Sequence, residues 1–284
     1  MTRLFRSLLF VPGNNPRFLE KAKSIPADIV CFDLEDSVPD SEKHNARKLI
    51  GEALKSRSQY AASIYVRTNS PASGKIPDDL NAVVQKGIDG IVIPKVNTAK
   101  ELQKIVKMML TLEKKRKTGR LSVIPSIESA QGVVNTYEIA SCNRVEAVVF
   151  GVFDLLNDMR IEYTKQPEGA KYSRAKVPVD ARAAGVHAID AIWQDLNDKE
   201  GLKQDCVIGK QLGYVGKSII HPDQIAVAHD LFAPNKSELE WAQKVCDTYV
   251  KSTKKGRGAT VVDGRMIDEV HYKQAKALLD LVKE

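Results

Sequence analysis

Cysteine is scarce in this chain, and its four residues, Cys31, Cys142, Cys206 and Cys246, stand far apart with no C-x-x-C pair. Their separations match no zinc-ligand spacing, so they read as reduced packing residues, as expected of a cytoplasmic protein. Long apolar runs are also missing, and none approaches a membrane span. The apolar stretch within residues 1–12 is interrupted by Arg3 and Arg6 and is followed by no small-residue cleavage site, so neither an export signal nor a transmembrane helix is expected. No glycine-rich G-x-G-x-x-G turn follows the first strand pattern, which removes the signature of a doubly wound dinucleotide-binding sheet. No RRM, helix-turn-helix or zinc-finger pattern accompanies the net charge of +7, and the basic residues are not interleaved with aromatics. Nucleic acid is therefore not the expected partner.

What the chain does have is enough apolar residue, 43% of 284 positions, to bury one substantial core. Its positive charge suits a phosphate-bearing ligand as well as it suits a polyanion. The densest basic run, residues 114–117, falls at the end of a predicted helix, where cations favour the carbonyl end of the dipole. Short β-branched apolar runs at 7–11, 29–34, 63–67, 90–94, 121–127, 145–151, 186–189 and 217–220 alternate with stretches of helical period. Thr98 and Glu101 form a capping-box pattern ahead of the stripe Leu102, Ile105, Val106, Met109 and Leu110. Pro178 falls where a helix is expected and predicts a start or a kink there. Pro222 and Asp223 suit the first turn of a helix that continues through 224–232. Eight strands with intervening helices predict an α/β fold, a (β/α)8 TIM barrel over residues 1–232. Residues 233–284 form a helical C-terminal extension, with Ser237 and Glu240 as the cap pair of its first helix, a basic glycine-containing stretch at 254–258, and a last helix from about Val270.

In such a barrel the active site lies at the carboxyl ends of the strands. Those ends are acidic: Asp33, Glu35 and Asp36 after the second strand, Glu128 after the fifth and Asp154 after the sixth. Glu128 and Asp154 follow neighbouring strands about 4.8 Å apart, so their carboxylates can converge. Two oxygen ligands with no histidine or cysteine cluster suit magnesium, which takes one or two carboxylates and leaves its other positions to water and substrate. Arg67, ending the third strand, offers a planar fork to a substrate carboxylate. Each residue has a plainer reading: Glu128 and Asp154 as helix N-caps, Arg67 as the partner of a buried acid, and His221 as a helix-start residue.

The segments Arg6-Ser-Leu-Leu-Phe-Val-Pro-Gly13, Asp33-Leu-Glu-Asp-Ser-Val38, Val66-Arg-Thr-Asn69, Ile93-Pro-Lys95, Ile127-Glu-Ser129, Phe150-Gly-Val-Phe-Asp-Leu155, Ile220-His-Pro222 and Val262-Asp-Gly-Arg-Met-Ile-Asp268 resemble, in order, the citrate lyase beta-subunit-like family of the HpcH/HpaI aldolase superfamily. The likeness extends to malyl-CoA and citramalyl-CoA lyases. It implies Mg2+ held by Glu128 and Asp154, a substrate contact from Arg67, and Glu35 and Asp36 lining the site behind the metal. It implies further that Phe10, Lys21, Ile220 and His221 lie near coenzyme A, which enters as part of the substrate. Asp268 is implied as a catalytic residue that reaches a neighbouring subunit's active site, in a homotrimer or hexamer. The chain departs from the family at Asn15, where an arginine is usual before the first-loop proline. The expected function is carbon-carbon cleavage of a β-hydroxyacyl-CoA to an acyl-CoA and a 2-oxo acid. The alternatives are a citryl-carrier-protein lyase subunit, or thioesterase or malate synthase chemistry on the same site.

Overall fold

The computed structural model describes residues 4–165 and 167–280. It separates into two compact units, one of Phe5–His229 and one built from residue 230 onward together with Leu4. In the first, eight parallel strands alternate with helices: β1 (Ser7–Pro12), α1 (Pro16–Lys21), β2 (Ile29–Asp33), α2 (Lys43–Leu54), β3 (Ser63–Arg67), α3 (Ile76–Val83), β4 (Gly90–Ile93), α4 (Ala99–Arg116), β5 (Ser122–Ile127), α5 (Ala130–Val134), α6 (Thr136–Ala140), β6 (Ala147–Phe150), α7 (Val152–Asp158), α8 (Lys171–Ala183), β7 (His187–Asp190), α9 (Lys199–Leu212), β8 (Gly216–Ile219) and α10 (Ile225–Phe232). The strands close on themselves in sequence order, β8 pairing with β1 through Leu8 and Ser218, so the expected (β/α)8 barrel is present. Strand ends differ from expectation where chemistry intervenes. Pro94 has no N–H for the ladder and β4 stops before it, while Val145 makes only an isolated bridge to Val123.

Alternation along the strands fills the barrel interior with Leu8, Ile29, Cys31, Tyr65, Val92, Ile124, Val149 and Ile189. Tyr65 is the largest fully buried side chain. It fits because Gly90 stands opposite: a Cβ there would lie 2.2 Å from the Tyr65 ring. Continuing the same faces toward the carboxyl ends brings Phe10, Asp33, Arg67 and Glu128 inward, so the top layer of the barrel interior is polar where the lower layers are not.

The helices obey local rules with informative exceptions. Thr98 caps α4 by accepting from the Glu101 amide at 3.2 Å, and Glu101 reaches back to the Asn97 amide, one residue earlier than in a standard capping box. The basic run ends α4, and Lys117 follows in the left-handed conformation. Helix α8 begins at Lys171 and carries Pro178 inside it, so of the start or kink expected at the proline the start is not found. Pro178 cannot donate to the Arg174 carbonyl; the Tyr214 hydroxyl donates there instead at 2.8 Å.

The second unit comprises α11 (Lys236–Thr253), a hairpin of β9 (Thr260–Val262) and β10 (Arg265–Ile267), and α12 (Glu269–Asp280), around Ala242, Val245, Val262, Ile267 and Ala275. The cap of α11 is Asn235, not Ser237: Asn235 accepts from the Glu238 amide at 2.9 Å and Glu238 accepts from the Asn235 amide at 2.8 Å. Asp263 and Gly264, at φ 47° and 78°, make the two-residue turn, the Asp-Gly signature of a tight hairpin. Among the described residues no helix is long and apolar enough to cross a membrane.

On the outer face of the barrel wall, fully buried Lys217 on β8 lies 3.0 Å from Asp190 on β7 and also pairs with Asp205 of α9. Arg174 of α8 bonds both carboxylates. Two cations and two anions thus neutralise one another where no water reaches Lys217 or Asp190. Removing one member strands its partners' charge, a loss of about 3–5 kcal/mol. Lys217→Met is expected to lower stability by about that much in chemical denaturation; a loss below about 1 kcal/mol would mean the cluster tolerates an uncompensated carboxylate.

Candidate active site at the barrel mouth

The acidic loop after β2 is fixed by its own first residue. Asp33 accepts from the amides of Glu35 at 2.8 Å and Ser37 at 3.0 Å, and the Lys43 ammonium donates to the Leu34 and Glu35 carbonyls at 2.7 Å each. Arg67 then closes on Asp33 through two parallel bonds, Nε to Oδ1 at 2.7 Å and Nη2 to Oδ2 at 2.6 Å, and lies 4.4 Å over the Phe10 ring. Burial disfavours the ionised Asp33, but the Arg67 charge and hydrogen bonds win and hold its carboxyl below the usual range. One edge of the Arg67 fork is therefore committed to a buried acid. Nη1, 3.3 Å from Glu35, is the part turned to the rest of the site. Asn69, also at this strand end, is turned away onto Asp79.

Glu128 is not a helix cap. Ser129 caps α5 by accepting from Gly132 at 2.9 Å, and Glu128 Oε2 is buried without a hydrogen-bond partner. Its side chain passes over the end of β6 only because residue 151 is glycine, where a Cβ would lie 2.4 Å from Glu128 Cγ. Burial, reinforced by the like charges of Glu35 and Asp154 and opposed by Arg67 and Lys95, pushes the Glu128 carboxyl up to about 8. Glu35 is pushed up to about 7, again mainly by burial, with Arg67 and Lys95 opposing and Asp36 adding to the shift. Asp154 sits in the first turn of α7, where the helix dipole favours a carboxylate. The cap position there belongs to Gly151.

Lys95 ends the fourth strand pattern, but the sequence assigns it no role in the site. Its ammonium lies 3.1 Å from Glu35, 3.3 Å from Asp36 and 3.3 Å from Asp154. Burial opposes its charge, but these carboxylates raise its pKa above the ordinary lysine value. The available signal was the Ile93-Pro94-Lys95 strand end, a cation placed where proline takes the chain off the ladder.

Phe10, Asp36, Arg67, Glu128, Asp154 and Ile220 line a cavity of about 440 Å3 at the barrel mouth. Glu35 lies buried behind it, bridging Arg67 and Lys95. Lys21 and His221 do not line it. Lys21 is exposed in the last turn of α1. His221 caps the turn Pro222–Gln224, its Nδ1 accepting from the Asp223 amide. Asn15, the departure from the family pattern, caps α1. Asp268 belongs to the second unit, where it caps α12 through the Val270 amide at 3.0 Å and pairs with His271 Nδ1 at 2.7 Å. The hydrogen bonds from His271 hold its carboxyl below the usual range. Among the described residues no group of three or more histidine, cysteine, aspartate or glutamate side chains is arranged to hold a metal ion.

Comparison with known proteins follows this geometry. The family model for "HpcH/HpaI aldolase/citrate lyase" matches residues 6–222. The citrate lyase subunit beta of Leuconostoc mesenteroides subsp. cremoris is 36% identical over 98% of this chain and 93% of its own length. The (3S)-malyl-CoA thioesterase of Cereibacter sphaeroides is 32% identical over 97% of this chain and 93% of its own. Among solved structures, protein CitE from Mycobacterium tuberculosis, in complex with magnesium, acetoacetate and coenzyme A, aligns with TM-score 0.80 and 25% identity over 98% of both chains. With a family model covering most of its length and relatives of this identity along nearly all of it, the chain belongs to the HpcH/HpaI aldolase/citrate lyase family.

Proposed function

We propose that the protein is a magnesium-dependent carbon-carbon lyase that cleaves a β-hydroxyacyl-CoA of the malyl-CoA or citramalyl-CoA type to an acyl-CoA and a 2-oxo acid. The observation that carries this reading is Glu128: a carboxylate buried over Gly151 with an oxygen lacking a hydrogen-bond partner, on the strand next to the one that Asp154 follows. A buried acid left in this condition costs stability, and a ligand that completes it offsets the cost. M. tuberculosis CitE is known in complex with magnesium, acetoacetate and coenzyme A together, which supports a site that takes both a metal ion and a coenzyme A derivative.

Glu128 and Asp154 would hold the ion. Bound there, Mg2+ supplies Lewis acidity to the hydroxyl and carboxylate oxygens of the substrate. Arg67, locked by Asp33 and the Phe10 ring, presents Nη1 to the substrate carboxylate with little orientation left to lose. Cleavage passes the hydroxyl proton to water as the bond to the α-carbon of the thioester breaks; that electron pair becomes the enolate, and a proton returns to the α-carbon. Asp268, contributed by a neighbouring subunit of a homotrimer or hexamer, carries that last proton, and in the condensation direction removes it. Phe10 and Ile220 form the wall met by the thioester, with Lys21 and His221 further along the coenzyme A chain and Glu35 and Asp36 behind the ion.

A second reading has its own support in the citrate lyase beta subunits that the chain resembles. In it the thioester is carried on an acyl carrier protein and the chain works as one subunit of a complex. Purified protein given malyl-CoA or citramalyl-CoA with magnesium is expected to release glyoxylate or pyruvate, and a chelator is expected to stop it. Silence with both esters, with release from a citryl carrier-protein thioester, would establish the second reading instead. Asp268→Asn is expected to lower turnover by about two to four orders of magnitude while leaving metal affinity intact; full activity in that variant removes the proton-transfer role.

Because the free protein holds the Glu128 carboxyl at about 8, metal binding at lower pH must displace its proton. Apparent Mg2+ affinity is therefore expected to rise by about tenfold per pH unit up to about pH 8 and level off above it. Titration calorimetry across that range checks this, and an affinity independent of pH would mean that binding displaces no proton from Glu128.

A further inference from the structure

Lys95 stands where the negative charge of the mouth is densest, and the proposed reaction makes no use of it. It leaves β4 through Pro94 at φ 52°, a left-handed conformation that lysine seldom adopts. There its ammonium lies 3.1–3.3 Å from three carboxylates: Glu35 and Asp36 on the loop after β2, and Asp154 on α7. Arg67, the other cation of the site, is committed to Asp33. The two carboxylates proposed to hold the metal thus differ. Glu128 has an oxygen without a hydrogen-bond partner, whereas Asp154 is already held by a cation of the protein's own.

Resting on the reading of Glu128 and Asp154 as the metal pair, we infer that Lys95 is an internal counter-cation that competes with the metal ion for Asp154 and so sets the affinity of the site. When a divalent ion engages Asp154, the Lys95 ammonium gives up that contact and keeps Glu35 and Asp36. The neighbouring positive charge and the displaced contact both oppose binding. Removing the ammonium should therefore tighten metal binding. A lysine that served only to hold Asp154 in position would behave oppositely, since its loss would loosen a ligand and weaken binding. The sign of the effect separates the two roles.

The test is Mn2+ binding to the full chain, followed by electron paramagnetic resonance of the free ion at one fixed pH, for the wild type and for Lys95→Met, Lys95→Gly, Lys95→Arg and Glu128→Gln. Lys95→Gly guards against misfolding, because glycine suits the left-handed backbone. Lys95→Met and Lys95→Gly are expected to bind Mn2+ more tightly by on the order of tenfold or more, since a like charge at contact distance has been removed. Lys95→Arg, which keeps the charge, is expected to stay near the wild type. Unchanged or weaker binding in Lys95→Gly overturns the inference. If Glu128→Gln binds Mn2+ as well as the wild type does, the failure lies in the proposed metal pair, and the role of Lys95 falls with it.

Discussion

Five acidic side chains, Asp33, Glu35, Asp36, Glu128 and Asp154, are gathered at one end of a barrel with a largely apolar interior, and Arg67 and Lys95 stand among them as counter-charges. Within this group the Arg67 pair with Asp33 carries the arrangement. Asp33 is fully buried and Arg67 largely so, each offsetting the other's desolvated charge, and the two-point geometry fixes the guanidinium plane. Asp33 in turn anchors the turn that presents Glu35 and Asp36. The same guanidinium approaches Glu35 and lies over Phe10. One ion pair therefore sets the loop, the substrate-facing nitrogen and part of the cavity wall.

What remains after that pairing is a crowd of acids whose repulsion is relieved by protons held to higher pH, above all on Glu128. Its upward shift and that of Glu35 have the same origin: burial of an acid among acids, relieved only partly by the two cations. Such perturbed groups concentrate at sites that bind or transfer charge. A second group of charges in the barrel, Lys217, Asp190, Arg174 and Asp205, pairs within itself. The contrast is informative: the outer cluster balances within itself, whereas the mouth does not.

The barrel was legible in the sequence because period-two and helical-period patterns are local, and eight of them in turn leave few closed alternatives. The acids at the strand ends were legible for the same reason, since a strand's end marks the mouth. Partnerships were not. That Arg67 spends one edge on Asp33, or that Lys95 spans two loops, depends on residues far apart in the chain. Whether Glu128 capped a helix was open until Ser129 was seen in that role. Two local signals did exist: Asp263-Gly264 encodes the hairpin before α12, and Asn235 is a better-placed cap than Ser237. The Tyr214 bond that lets α8 run through Pro178 had no sequence signal, being a side chain donated from the far end of α9.

The central claim is that Glu128 and Asp154 form a single divalent-cation site, and anomalous diffraction from crystals equilibrated with Mn2+ tests it most directly. The account expects one strong peak per barrel between those two carboxylates, with Lys95 drawn off Asp154. A peak elsewhere, or none at saturating ion, would contradict it.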